Sequence, residues 1–248
     1  MNSAAMSPAL AAENDQPTLN AQVLSQLRTD IVNCRLMPNE RLRLEALRKR
    51  YQVGGSPIRE ALMRLEAEGL VELEQNKGFR VTGASRDSLL DLMRTRIEIE
   101  GLALRWSIER GGLEWEANIV GAFHRLSHHK KADPTIPNAI SAAWRQEHRA
   151  FHAALAEACG SPVLLAIRSG LFAQAERYVA LSILSKAKPR DDVAEHESIM
   201  RAALARDVAR AVALNSQHIE RTTEKVASTT EFRRHAAKLV ISRARKSR

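Results

Sequence analysis

The chain has 248 residues, 44% of them apolar, 27% charged and 4% aromatic, with a formal charge of +9 at neutral pH. That is apolar material for a sizeable core and for two domains, and it excludes a chain disordered throughout. No apolar run approaches the roughly 20 residues that span a bilayer, and the two cysteines, Cys34 and Cys159, lie in no C-x-x-C pair, which excludes a disulfide framework and a metal held by sulfur alone.

Residues 1–17 read as a mobile tail: the segment has no basic n-region, and Glu13 and Asp15 interrupt it, so a cytoplasmic protein is expected. Asn20 is placed to cap a first helix with Val23, Leu24, Leu27 and Ile31 on one face, stopped by Pro38. A second short helix follows in RLEALRKRYQ, with Leu44, Leu47 and Tyr51 inward and Arg43, Arg48, Lys49 and Arg50 outward. Gly54-Gly55 is expected to turn the chain, Ser56 to cap and Pro57 to open a third helix over 58–68 that buries Ile58, Leu62 and Leu65. Two alternating segments, Leu70–Leu73 and Phe79–Val81, flank Gln75-Asn76-Lys77-Gly78 as a β-hairpin with a basic tip. Three short helices and a hairpin over 18–83 form a winged helix-turn-helix pattern, the architecture of a DNA reader.

The remainder, 86–228, is helical. Leu89, Leu90, Met93, Ile97, Leu102 and Trp106 recur at helical spacing up to Gly111-Gly112, and further helices fit 113–131, 138–158, 163–186, 191–205 and 207–228. The fold class expected is mainly α, a winged helix-turn-helix followed by an all-helical bundle. Much of the positive charge lies after Arg221, with only Glu224 and Glu231 against its lysines and arginines, whereas the first 83 residues are nearly balanced. Residues 229–248 therefore read as a basic tail, either a solvated end or an unspecific nucleic-acid contact.

The string PNERLRLEALRKRYQVGGSPIREALMRLEAEGLVELEQNKGFRVT resembles the GntR-superfamily DNA-binding domain, through V-x-x-x-P-[IV]-R-E-A-L, L-x-x-E-G-L-V and G-[FY]-x-V. The helical remainder resembles the FCD effector domain of the FadR branch, through R-I-E-I-E-G-L-A (96–103), H-R-A-F-H-A-A-L-A-E-A-C-G-S (148–161), E-H-E-S-I (195–199) and the late His218. W-x-x-x-H-x-x-F-H and C-G-S are similar to CsiR-type repressors, which respond to glutarate-like dicarboxylates. The chain departs from the family at Gly54-Gly55-Ser56, where Ser-Arg-Thr is common, so a guanine-reading arginine is missing and base preference is expected to shift there.

His148 and His152, four apart on one helix, face the same way about 6 Å apart, the spacing that lets two imidazoles share an ion. His196 and His218 each precede inward-looking apolar residues, and four buried imidazoles without an ion are expensive to desolvate. The resemblance implies a metal site in which His152, His196 and His218 match family ligands and His148 stands in place of the family's acid. An all-nitrogen set favours Zn²⁺ or Ni²⁺ over Mn²⁺, Mg²⁺ or Ca²⁺; the open alternative is a metal-free site whose histidines bind the effector carboxylate directly. The resemblance also places Arg96 at the effector, against the plain reading of an i, i+4 ion pair with Glu100; Arg168, Arg177 and Tyr178, on the helix across 166–184, read as a second carboxylate clamp or a solvated face. Ser56, Arg59, Lys77 and Gly78 are the expected DNA contacts, with Arg43, Arg48 and Arg64 on the backbone.

These features imply a homodimeric, ligand-responsive transcriptional regulator, more often a repressor, acting on a palindromic operator and released by a small carboxylate. The competing classes are a metal-dependent enzyme and an unspecific DNA-binding protein. Against the enzyme, Glu147 and Glu195 are the only acids beside the histidines, and each is expected on a different helix face from its neighbouring histidine.

Overall fold

The computed structural model describes residues 18–135, 140–184 and 192–228. The tail at 1–17 and the basic tail at 229–248 lie outside them.

The reader is built from α1 (Leu19–Val32), β1 (Arg41–Leu42), α2 (Leu44–Tyr51), α3 (Gly55–Ala67), β2 (Val71–Glu74) and β3 (Gly78–Val81). Val23, Leu27, Ile31, Leu47, Ile58, Leu62, Leu65, Leu70 and Val81 close into one core. The helical spacing of α1 and α3 aims their apolar faces at each other, and the hairpin's alternation sends Val71 and Val81 inward. Three details differ from the sequence expectation. Thr18, not Asn20, caps α1, its Oγ1 accepting from the Ala21 N–H at 3.3 Å, while Asn20 donates across to Glu60. The helix also ends at Val32, well before Pro38, because Cys34 turns into the left-handed region at φ +56°. The α2–α3 turn is made by Gln52 at φ +54°; Gly54 is extended and sits at the N-cap, which leaves Ser56 inside the first turn of α3 with no capping bond. Finally, β1 pairs antiparallel with β3, Arg41 opposite Arg80, giving a three-stranded wing in the order β1-β3-β2. A two-residue strand is too short to leave a periodicity.

The bundle comprises α4 (Arg86–Arg110), α5 (Leu113–His128), α6 (Ala142–Ala156), a 3₁₀ turn (Glu157–Cys159), α7 (Pro162–Leu184), α8 (Val193–Leu204) and α9 (Val208–Ala227). Each helix starts and stops within a few residues of its expected bounds. Ser85 and Ser141 cap α4 and α6 with their hydroxyls. The long α4 packs along α9 and α7, α5 lies on α6, and α8 on α9.

Reader and bundle touch along α7 and, through Arg145, at α6. Gln174 Nε2 donates to the Glu68 carbonyl at 2.9 Å, and Arg177, 1% exposed, donates to the Thr82 and Gly83 carbonyls at 2.8 and 3.3 Å. Gly69, at the end of α3, has φ +71°, and a Cβ there would stand 2.8 Å from Gln174 Nε2. Gly69→Ala is therefore expected to cost about 1–2 kcal/mol, through left-handed strain and the displaced Gln174, and to lower the melting temperature by about 2–6 °C. An unchanged melting temperature would contradict this packing.

Candidate functional site

Three helices deliver four histidines to one point. α6 presents His148 and His152 on its inward face, α8 presents His196 and α9 His218. One ring nitrogen from each lies within 4.8 Å of those of the others. Ring centroids are 4.6 Å apart for His148–His152 and 4.5 Å for His196–His218, and the cross-helix pairs with His196 are 5.1 and 5.3 Å. Aromatic neighbours cover part of the cluster: Trp144 stacks on His148 at 4.5 Å, and the Phe151 ring meets both His152 and His196.

Burial sets the electrostatics. Desolvation, with the neighbouring imidazoles adding to it, pushes His148 and His152 well below the ordinary histidine range and His196 down to about 3. All three are neutral at physiological pH, the state in which an imidazole lone pair can bind a metal ion. His152 is 1% exposed and His196 0%, yet His152 Nε2 and both ring nitrogens of His196 have no hydrogen-bond partner. Buried polar atoms are normally paired, and leaving one unpaired costs about 1–3 kcal/mol. Several such atoms converging on one point fit a cluster that can hold a divalent metal.

Carboxylates stand behind the rings. Glu195 Oε2 is 2.9 Å from His218 Nδ1, which assigns the proton to that nitrogen and leaves Nε2 for the cluster; Arg221 holds the other carboxylate oxygen at 3.1 Å. Glu195 is thus on a different face from His196, as its spacing implies, but it reaches a histidine of the next helix. Asp192, 3% exposed, sits 4.0 Å from His196 Nδ1 with one oxygen unpartnered and the other accepting from Lys131 Nζ at 2.6 Å. Its D-x-x-x-H spacing to His196 is the signal that sequence reasoning passed over.

A cavity of about 60 Å³ opens beside the histidines, walled by Arg96, Lys131, Trp144, Arg145, His148, Phe172, Glu176, Asp192 and His218. That is room for a few waters or a short organic acid. Arg96 Nε donates to Glu100 at 2.9 Å, the i, i+4 pair, and the residue also borders the cavity, its guanidinium 4.6 Å above the Phe172 ring. Burial alone would raise Glu100, but Arg168 at 3.0 Å and Arg96 outweigh it and hold the carboxylate below its usual range. Arg168 also donates to the His152 carbonyl and so pins α6 to α4. Arg177 and Tyr178 are not brought to the cavity. They are buried at the junction with the reader, where the Arg177 fork is taken by backbone carbonyls. The charged cavity residues not anticipated from sequence are Lys131, Arg145, Glu176 and Asp192. Arg145, three before His148, shares its helix face, a spacing that was available.

The reader presents a second surface. Arg59 is exposed on α3 and has no ion-pair partner among the described residues, because Glu45 takes Arg48 at 2.9 Å and Glu60 takes Arg64 at 2.8 Å. Ser56 and Met63, 64% exposed, share its outward face. Arg43 is exposed at the start of α2. Lys77 and Gly78 form the wing tip, with Asn76 at φ +60° and Gly78 at φ +79° turning the hairpin in open space.

Comparison with known proteins places both halves. Residues 19–81 match the model of the bacterial regulatory proteins of the gntR family, and residues 91–221 match the FCD domain. The chain is 41% identical to the HTH-type transcriptional regulator BphR of Paraburkholderia xenovorans (79% of this chain, 80% of the relative), and 38% identical to the HTH-type transcriptional repressor GlaR of Escherichia coli (78% and 89%). Among solved structures, E. coli McbR/YncC superposes with a TM-score of 0.70 at 17% identity, covering 85% of this chain and 98% of that one. A GntR protein from Rhodococcus sp. RHA1 gives 0.63 at 18% identity, covering 84% and 96%. Among the described residues no helix is long and apolar enough to cross a membrane. With an N-terminal winged helix-turn-helix and a helical bundle that holds a histidine-bordered cavity, the chain belongs to the GntR family with an FCD domain and is a ligand-responsive, DNA-binding transcriptional regulator.

Proposed function

We propose that the protein is a cytoplasmic homodimeric repressor of a carboxylate catabolic operon, with residues 18–83 reading DNA and 86–228 binding effector and partner, and that a small carboxylate releases it from a palindromic operator. The observation that carries this reading is the junction of the four-histidine cluster with a cavity bordered by Arg96, Lys131 and Arg145. His148, His152, His196 and His218 would hold a divalent ion, Zn²⁺ or Ni²⁺ by their all-nitrogen character. When bound, the ion would supply positive charge that favours a carboxylate in the adjoining cavity. Glu195 fixes the His218 ring, Trp144 and Phe151 pack against the cluster, and Arg96 adds a guanidinium on the cavity side. The repressor sense follows GlaR, whose name states it.

On the DNA side, Ser56, Arg59, Lys77 and Gly78 would make the principal contacts, with Arg43 and Arg48 on phosphates; Arg48 must first leave Glu45, a cheap step for an exposed pair. Selecting duplexes from a random library with the purified protein is expected to return a palindrome with half-sites about one helical turn apart. Recovery of unrelated sequences of equal affinity would favour the unspecific DNA-binding class instead. On the selected duplex, Arg59→Ala should cost about 1–3 kcal/mol if it reads a base. If it meets phosphate, the salt dependence should shallow by about one unit. No change in either would remove Arg59 from the interface.

A further inference from the structure

The cavity's cations are not equivalent. Arg96 is paired with Glu100 and Lys131 with Asp192, and Glu176, the other carboxylate that borders the cavity, is taken by Arg149. Arg145 alone of these cavity cations has no carboxylate in ion-pair reach among the described residues. Its bond to another side chain is Nη1 to Asn33 Oδ1 at 2.6 Å. Asn33 is the C-cap residue of α1, in the reader. Gln174 and Arg177 also join bundle to reader, but neither borders the cavity. Apolar cavity residues such as Ala175 and Ile219 share a hydrophobic cluster with Cys34, but Arg145 is the cavity cation that hydrogen-bonds a reader side chain.

From this geometry we infer that Arg145 is an effector-binding residue and a ligand-competed latch: an anionic ligand in the cavity takes its guanidinium from Asn33 and so frees the end of α1. The inference rests on the proposed carboxylate effector and adds the residue through which occupancy reaches the reader. A carboxylate offers two charged oxygens to the guanidinium fork, whereas Asn33 offers one neutral oxygen to one Nη, and charge-assisted bonds of the first kind are roughly twice as strong. Ligand and latch compete for one group, so each weakens the other by the same factor. Asn33 caps α1 with its backbone N–H, bonded to the Ile31 and Thr29 carbonyls, and has φ −85°, so alanine preserves the helix end while removing the latch.

The test uses full-length protein loaded with Zn²⁺ or Ni²⁺ and a panel of short linear mono- and dicarboxylates, acetate to adipate, followed by calorimetry and by amide exchange over residues 32–36. The wild type should bind a member of the panel and then exchange faster over that segment. Asn33→Ala should exchange fast without ligand and bind it about ten-fold more tightly, the worth of a hydrogen bond to a charged group. Arg145→Gln should bind the ligand about a hundred-fold more weakly with metal affinity unchanged, which a misfolded variant would not retain. If Asn33→Ala and wild type bind the ligand equally and exchange is indifferent to it, the latch is overturned while the effector reading stands. If no carboxylate binds the wild type, the effector reading falls and the latch with it.

Discussion

His196→Ala is expected to weaken Zn²⁺ or Ni²⁺ binding by about two to three orders of magnitude. Structural zinc sites are worth roughly 10–16 kcal/mol over their ligands, so one imidazole of four carries on the order of 3 kcal/mol or more, a factor of a hundred or above. His196 is the informative member. It is fully buried, it stands on α8 apart from the i, i+4 pair of α6, and neither of its ring nitrogens has a partner in the protein. In the chelated protein the same substitution removes orphaned polar atoms but leaves a cavity against Phe151, so its stability should change much less than its metal affinity. Competition titration with a chromophoric chelator reads the first quantity and thermal melting the second. Equal metal affinity in wild type and variant would remove His196 from the cluster.

The metal-free protein is expected to lose stability steadily as pH falls through the range in which an exposed imidazole protonates. Burial holds His196 at about 3 in the folded chain against 6.5 when unfolded. Between those values the unfolded chain binds more protons than the folded one, so acidification favours unfolding; above about 6.5 both states are neutral and the effect vanishes. At about 1.4 kcal/mol per unit, His196 alone accounts for a loss of about 2 kcal/mol by pH 5, before the carboxylates titrate. His148 and His152 are shifted in the same direction and steepen the fall. Melting temperatures of chelated protein at pH 7.5 and pH 5 measure it. A flat profile would mean that the imidazoles are solvated rather than buried.

The elements were legible where the pattern was long. The apolar faces of α1 and α3, the 25-residue α4 and the helical bundle follow from spacing alone. What spacing could not supply was decided by single backbone conformations and by contacts distant in sequence. Gln52, not the adjacent glycines, takes the left-handed conformation between α2 and α3. The two residues of β1 acquire strand character only by lying beside Phe79 and Arg80. At the site, the i, i+4 histidines of α6 were visible, whereas the meeting of α6, α8 and α9 depends on tertiary packing. Arg177 shows the limit from the other side: its charge type suits a carboxylate clamp, yet it sits on the α7 face turned to the reader, where the Thr82 and Gly83 carbonyls satisfy it. Arg145 and Asp192 stand at helical spacing from His148 and His196, a signal open to sequence reading, but only the packing of the neighbouring helices makes them walls of one cavity.

The central claim is that metal cluster and cavity form one effector site. The most direct measurement is thermal melting of the full-length protein against the carboxylate panel, before and after chelation, with Zn²⁺ or Ni²⁺ restored. The account predicts a carboxylate that raises the melting temperature of loaded protein, loses that effect on chelation and regains it with the ion, by about 2.7 kcal/mol of stabilisation at a hundred-fold excess over its Kd. A carboxylate that stabilises chelated and loaded protein equally would contradict it and would assign effector binding to the arginines and the bare imidazoles.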